Sequence, residues 1–262
     1  MPLAERIDEC VTDARSLLCV GLDPAGVSSA AAAERFCIEI LEATLAAAAA
    51  VKANLAFFEQ FGSAGYAVLE RLRGRIPANR LLILDGKRGD IANTAEAYAR
   101  ALFGVLGADA ITVNPLLGGD AVAPFLAEPG HGVFLVARSS NPGAADLLDA
   151  TLDGGAPLHR RIVELGRAWD PGGQVGFVVG ATDPGMVAEV RAAAGDAPLL
   201  VPGVGAQGGA LEEAVLAGAD SRRRGLLISV SRGIAAAPEG PARAAADLRA
   251  RIEAARSAVT LA

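Results

Sequence analysis

Short apolar runs recur along the chain roughly every 20 to 40 residues, and most lead into a stretch whose apolar positions repeat with helical spacing. Eight such runs can be read: "LLCVGLD", "AAAVKAN", "LLILDGK", "AITVNP", "GVFLVARSS", "VGFVVGAT", "LLVPGVG" and "LLISVSRG". They are continuously apolar rather than alternating, the pattern of parallel strands covered on both faces. The stretches between them, from "AAAERFCIEILEATL" through "FFEQFGSAGYAVLERLR", "NTAEAYARALFGVLG", "GDAVAPFLAE", "APLHRRIVELGRAW", "DPGMVAEVRAAAG" and "ALEEAVLAGA" to the closing "PARAAADLRARIEAARSAV", read as helices. Asp183 before Pro184 is a helix start, with a capping side chain ahead of a proline at the first helical position. Eight strand–helix units in 262 residues predict one (β/α)8 TIM barrel, an α/β domain spanning 1–262. An open doubly wound sheet would more often carry five or six strands. The least regular piece, "SSNPGAADLLDATLDGG", is predicted as a long loop on the active face.

Composition narrows the partners. A net charge of −6 and 4% aromatic residues supply neither the basic footprint nor the stacking platform of a nucleic-acid binder. No nucleic-acid partner is expected. The longest alanine-rich stretch, "ATLAAAAAV", falls far short of the roughly 20 residues that span a bilayer, and the acidic start "MPLAERIDEC" is unlike a signal peptide, so no membrane partner is expected. Three cysteines, Cys10, Cys19 and Cys37, form no paired motif and fit a reducing cytoplasm. His131 and His159 are too far apart in sequence to suggest a metal site, and none is expected.

The cations sharpen the picture. Of 24 basic residues only Lys52 and Lys87 are lysines; a drift toward arginine should have replaced any lysine needed only for its charge. Lysine is a compact point charge whose pKa can move far enough to give or take a proton, and arginine is not. In a barrel of this kind, chemistry sits at the carboxyl ends of the strands. There the first strand ends in Asp23, the second carries Lys52, and the third ends in Asp85 and Lys87, with Asp90 just beyond. The fourth ends in Asn114, the fifth in Ser139 and Ser140, the seventh opens into Gln207, and the eighth ends in Ser231 and Arg232. Asp85 and Lys87 stand two residues apart and share a face of their strand. Acids alternating with bases in a concave site read as a proton-handling network. The glycine-rich "VPGVGAQGGALEEAV" with Arg232 marks the place where barrels often hold a phosphate. The run Arg222–Arg224 and His131 precede strands, fall on the opposite face and read as solvated surface.

Together these residues resemble the orotidine 5′-phosphate decarboxylase family, whose motif is matched by Asp85, Lys87, Asp90, Ile91 and Thr94. "VKANLAFFEQFGSAGYAVLERL", "ARSSNPGA", "VVGAT" and "VPGVGAQGG" are similar to its longer microbial branch. The resemblance implies a catalytic tetrad of Lys52, Asp85, Lys87 and Asp90, with Asp90 and Thr94 entering the site of the other subunit of a homodimer. It further implies that Asp23 and Lys52 bind ribose hydroxyls, that Ser140 meets the pyrimidine, that Pro202 belongs to the substrate-binding set, and that Gln207 and Arg232 hold the phosphate. It implies a nucleotide substrate and no metal or organic cofactor. Two positions depart from the commoner pattern: Gly86 stands for alanine, and Leu116 for an aromatic on the apolar wall. Three alternatives remain at this stage: a metal-dependent sugar-phosphate decarboxylase on the same barrel, a Schiff-base aldolase, and a catalytically silent nucleotide sensor.

Overall fold

A computed structural model of the protein describes residues 1–127, 129–170, 172–204 and 210–259. Eight parallel strands close into a barrel in sequence order: β1 Leu18–Gly21, β2 Ala50–Asn54, β3 Leu81–Arg88, β4 Ala110–Val113, β5 Gly132–Arg138, β6 Val175–Val179, β7 Leu199–Pro202 and β8 Leu226–Val230. The seam is sealed by Leu18, Cys19 and Val20 of β1 lying beside Ile228, Ser229 and Val230 of β8. Each predicted strand therefore forms, and the predicted barrel with it. The reason is the one legible in the pattern, since Leu81 to Leu84, Ala110 to Val113 and Leu226 to Val230 are buried without interruption.

The outer ring comprises α1 Leu3–Ala14, α2 Ala30–Thr44, α3 Ala56–Glu59, α4 Ser63–Arg73, α5 Ala92–Ala99, α6 Gly119–Leu126, α7 Leu158–Trp169, α8 Pro184–Ala194, α9 Leu211–Gly218, α10 Arg232–Ala235 and α11 Pro241–Ala258. Asp183 caps α8 as expected, its Oδ1 accepting from the amides of Gly185 at 2.9 Å and Met186 at 3.2 Å. The single helix expected over "FFEQFGSAGYAVLERLR" is split into α3 and α4, and α5 runs on into a π-helical segment, Arg100–Val105. Among the described residues no helix is long and apolar enough to cross a membrane, and Cys10, Cys19 and Cys37 are buried free thiols.

One helix escaped the sequence reading. Leu3, Ile7, Cys10, Val11 and Ala14 form the buried stripe of α1 at helical spacing. Its acidic side corrects another expectation: Arg222 Nη1 lies 2.9 Å from Asp8 and Arg224 Nη1 lies 3.8 Å from it, while Arg222 also reaches Asp220 at 3.1 Å. The arginine run before β8 is a latch for α1 across the amino-terminal face of the barrel rather than simply a solvated charge patch.

Candidate active site

The site grows out of an irregularity in β3. Leu84 lies opposite Ile111 of β4, and Arg88 lies opposite Val113. Asp85, Gly86 and Lys87 therefore face the single residue Thr112. This bulge holds an even number of extra residues, so inward and outward faces keep alternating while the strand end is re-aimed. Lys87 completes the bend in a left-handed conformation, φ 44°, which costs a side-chain-bearing residue roughly 1–2 kcal/mol. Thr112 ties the bulge from inside: its hydroxyl accepts from the Lys87 amide at 2.9 Å and donates to Asp85 Oδ1 at 2.8 Å.

Asp85 is the hub. Its Oδ1 pairs with Lys87 Nζ at 2.7 Å and its Oδ2 with Lys52 Nζ at 3.3 Å; Lys52 also lies 3.8 Å from Asp23 Oδ1. Both lysines point into one cavity and share one carboxylate. Burial by itself would raise the Asp85 pKa, but the two ammonium groups and the hydrogen bonds from Lys87 and Thr112 prevail and hold the carboxyl down to about 2. Its contribution to stability is accordingly in place above the ordinary value of 3.8 and is lost as pH falls toward 2. Lys52 is 5% exposed. Burial disfavours its charge, yet Asp23 and Asp85 outweigh that cost and hold its pKa above the ordinary value. The two lysines differ in setting, because the Lys87 side chain is 50% exposed and opens toward the cavity mouth.

Three connected hollows form a cleft across the carboxyl ends of the strands. At one end Gly203, Val204, Ser231, Arg232 and Gly233 line it; this part continues to Asp23, Lys52 and Pro202. The middle is lined by Lys52, Asp85, Lys87, Thr112, Ser140, Val178, Leu200 and Pro202. Beyond Lys87 and Ser139 it opens under Leu116, Ala144, Leu147 and Leu148. The irregular segment after β5 thus forms the far wall, with a short 3-10 turn over Pro142–Asp146. It is tied to the barrel by a paired contact of Arg138 with Asp149 at 2.8 and 3.0 Å. Ser140 approaches so closely that a Cβ on Gly180 would stand 2.7 Å from its Cα, which leaves glycine as the residue that fits after β6.

The cleft brings together Asp23, Lys52, Asp85, Lys87, Ser140, Pro202 and Arg232 from the sequence reading. It does not bring in two others. Asp90 accepts from the Ile91 amide at 2.8 Å, and Thr94 is exposed on the first turn of α5; neither lines the cleft. Gln207 lies outside the described residues. The sequence reading missed Thr112, although a hydroxyl inside a fully buried strand is itself a signal, since a buried polar group must find a partner. Among the described residues no group of three or more acidic, histidine or cysteine side chains is arranged to hold a metal ion.

A closed parallel barrel with a largely buried carboxylate between two lysines on its carboxyl-end rim places the chain among the (β/α)8 barrels that carry a charged cavity on the face where barrel enzymes keep their chemistry. A profile of the orotidine 5′-phosphate decarboxylase / HUMPS family matches residues 16–248, and the chain belongs to that family. It is 46% identical to the orotidine 5′-phosphate decarboxylase of Roseiflexus castenholzii over 254 residues, covering 94% of this chain and 93% of that protein. The structure of Leishmania donovani OMP decarboxylase superposes with a TM-score of 0.91 at 42% identity, covering 98% of this chain and all (100%) of that one. Leishmania donovani UMP synthase superposes at 0.94 and 44% identity, and here the chain spans 57% of the longer protein.

Proposed function

We propose that this chain decarboxylates orotidine 5′-monophosphate to uridine 5′-monophosphate, a step of pyrimidine biosynthesis. The family profile alone spans more than one activity, but the similar curated proteins carry the decarboxylase name over nearly their whole length. The observation that carries the reading is the carboxylate of Asp85 held between Lys52 and Lys87. The order of groups along the cleft supports it: an arginine and glycine end for a phosphate, Asp23 and Lys52 for ribose hydroxyls, then Lys87, Asp85 and Ser140 for the base.

In this reading the C6–carboxylate bond breaks, CO2 departs, and the electron pair stays on C6. Lys87 Nζ stabilises that charge and transfers its proton to C6; the amine then regains a proton from water. Asp85 and an Asp90 from a second chain crowd the substrate carboxylate. Two like charges 4 Å apart repel by about 4 kcal/mol at an effective dielectric near 20, worth roughly a thousandfold in rate. Enzymes commonly accelerate by about 10⁶-fold or more, so repulsion is one contribution among several. Phosphate binding at the far end supplies another by holding the base in place.

The direct test follows the loss of orotate absorbance in purified protein, with and without a chelator. Turnover that survives chelation supports this reading, and orotate absorbance that stays constant whether or not chelator is added overturns it. Arg232→Ala is expected to weaken capture of the phosphorylated substrate, with KM raised by about 10-fold or more and a smaller change in kcat. Unchanged kinetics would show that the phosphate sits elsewhere.

The reading includes a cytoplasmic homodimer with two composite sites. Supporting it, Ile91, Leu116 and Leu117 are 58%, 52% and 50% exposed around the segment that carries Asp90 and Thr94, an apolar surface of the kind a second copy covers. Lys87→Arg and Asp90→Asn chains, each inactive alone, should regain activity when mixed under subunit exchange. Mixtures that stay inactive while hybrids form would exclude a shared site.

A further inference from the structure

The left-handed backbone of Lys87 persists only if its surroundings over-determine it. Thr112 holds it from within, but the outer side of the bulge is held by Arg88, which the mechanism does not use. The Arg88 side chain turns to the outer wall, where its guanidinium pairs with the Glu59 carboxylate at the end of α3. It reaches back to the Gly86 carbonyl at 3.4 Å and lies 5.3 Å from the ring centre of Tyr98 on α5. Tyr66 of α4 donates to the same Glu59 carboxylate at 3.0 Å. The Arg88 carbonyl accepts from the Asn114 amide at 2.7 Å, fixing the strand beyond the bend. Gly86 fits this arrangement, because a Cβ there would stand 3.3 Å from the Arg88 guanidinium and 2.6 Å from Leu55 Cδ1.

We propose that Arg88, clamped by Glu59 and Tyr98 outside the barrel, is a positioning residue that locks the β3 bulge and so aims the Lys87 ammonium at the reacting carbon. Arg88, Glu59 and Tyr98 do not line the cleft; the clamp acts through the peptide that Lys87 and Arg88 share. Arginine suits the task because its planar fork can pair with a carboxylate, donate to a carbonyl and lie against a ring at once, which an ammonium cannot. The same guanidinium joins the lysine's strand to α5, the helix that begins beside Asp90 and carries Thr94, so one side chain ties the Lys87 of its own site to the residues proposed to enter the other chain's site.

This inference rests on the assigned decarboxylation, and its test has a readout that does not. Because Lys52 and Lys87 are the only lysines, isotope-labelled lysine gives two side-chain spin systems that NMR can follow one by one. Arg88→Met keeps apolar bulk over Gly86 and removes the fork; Glu59→Gln removes the clamp's charge while leaving β3 intact. Both variants should move or broaden the Lys87 signals and leave those of Lys52 in place. They should also lower kcat by on the order of 10²-fold, the effect of an ångström-scale misplacement, with KM within about threefold of wild type. Arg88→Lys, retaining charge without the fork, should recover only part of the loss. Unmoved Lys87 signals in both variants, or kcat within about threefold of wild type, would overturn the clamp. If Arg88→Met does not fold, Glu59→Gln decides by the same criteria. A wild-type protein that fails to turn over orotidine monophosphate would sink the assigned reaction, while the lysine spectra would still report on the clamp.

Discussion

Lys87→Arg should fold like the wild type and turn over almost no substrate. The Lys87 side chain is half exposed and supports no core packing, so a longer cation at the mouth of the cleft is sterically tolerable and can still face Asp85. What it cannot do is part with a proton: the guanidinium stays charged at any working pH and spreads its charge over a planar group instead of a point. Loss of a positioned general acid commonly costs about 10²–10⁴-fold, and here the same group also stabilises the carbanion, so a fall in kcat of roughly 10³-fold or more is expected with a lesser change in KM. Absorbance assays under saturating substrate measure it, with circular dichroism to verify the fold. A variant retaining near-normal kcat would remove Lys87 from the role of proton donor.

Much of the architecture was legible because parallel barrel strands are buried on both faces and therefore read as unbroken apolar runs, as Val175–Val179 does. The lysines were legible because the chain otherwise uses arginine, and the structure brings both ammonium groups onto the one carboxylate of Asp85. Arg88 was not, since it acquires its place from the bulge that sets three residues of β3 against one of β4, and a register shift leaves no mark on periodicity; Thr112 showed only as a hydroxyl in a buried strand, without its partners. The stripe of α1 was present at helical spacing, but its acidic side answered a question about targeting and hid one about packing, namely that Asp8 anchors Arg222 and Arg224. Asp90 and Thr94 do not line the cleft of their own chain, and the sequence by itself carries no sign of that, because it says nothing of which way the start of α5 is turned.

Asp85→Asn carries the other large effect, and it separates catalysis from stability by pH. The substitution keeps size and the possibility of a bond with Thr112 but removes the charge on which both ammonium groups converge. Lys52, buried, would be left with Asp23 at 3.8 Å as its carboxylate partner. Breaking a buried pair costs about 3–5 kcal/mol when the remaining charge has no other partner; with Asp23 still present, a loss of about 2 kcal/mol at neutral pH is expected. Turnover should fall by roughly 10³-fold, because Lys87 loses its orienting partner and the substrate carboxylate loses a repelling neighbour. The alkaline behaviour then distinguishes charge from shape. In the wild type the pKa of Lys52 is held above 10.5, so its contribution is complete below that value and fades as pH rises through the folded-state pKa. In the variant, Lys52 loses the charge and hydrogen bond of Asp85 and keeps Asp23 against the cost of burial, so its pKa falls below the wild-type value, the folded state sheds its proton earlier, and the stability gap between variant and wild type should narrow as pH rises from 8 to 10.5. Urea unfolding at those two pH values measures the gap; a deficit that is constant across them would mean that the carboxylate serves packing alone and that the paired charges are not what the cavity is built around.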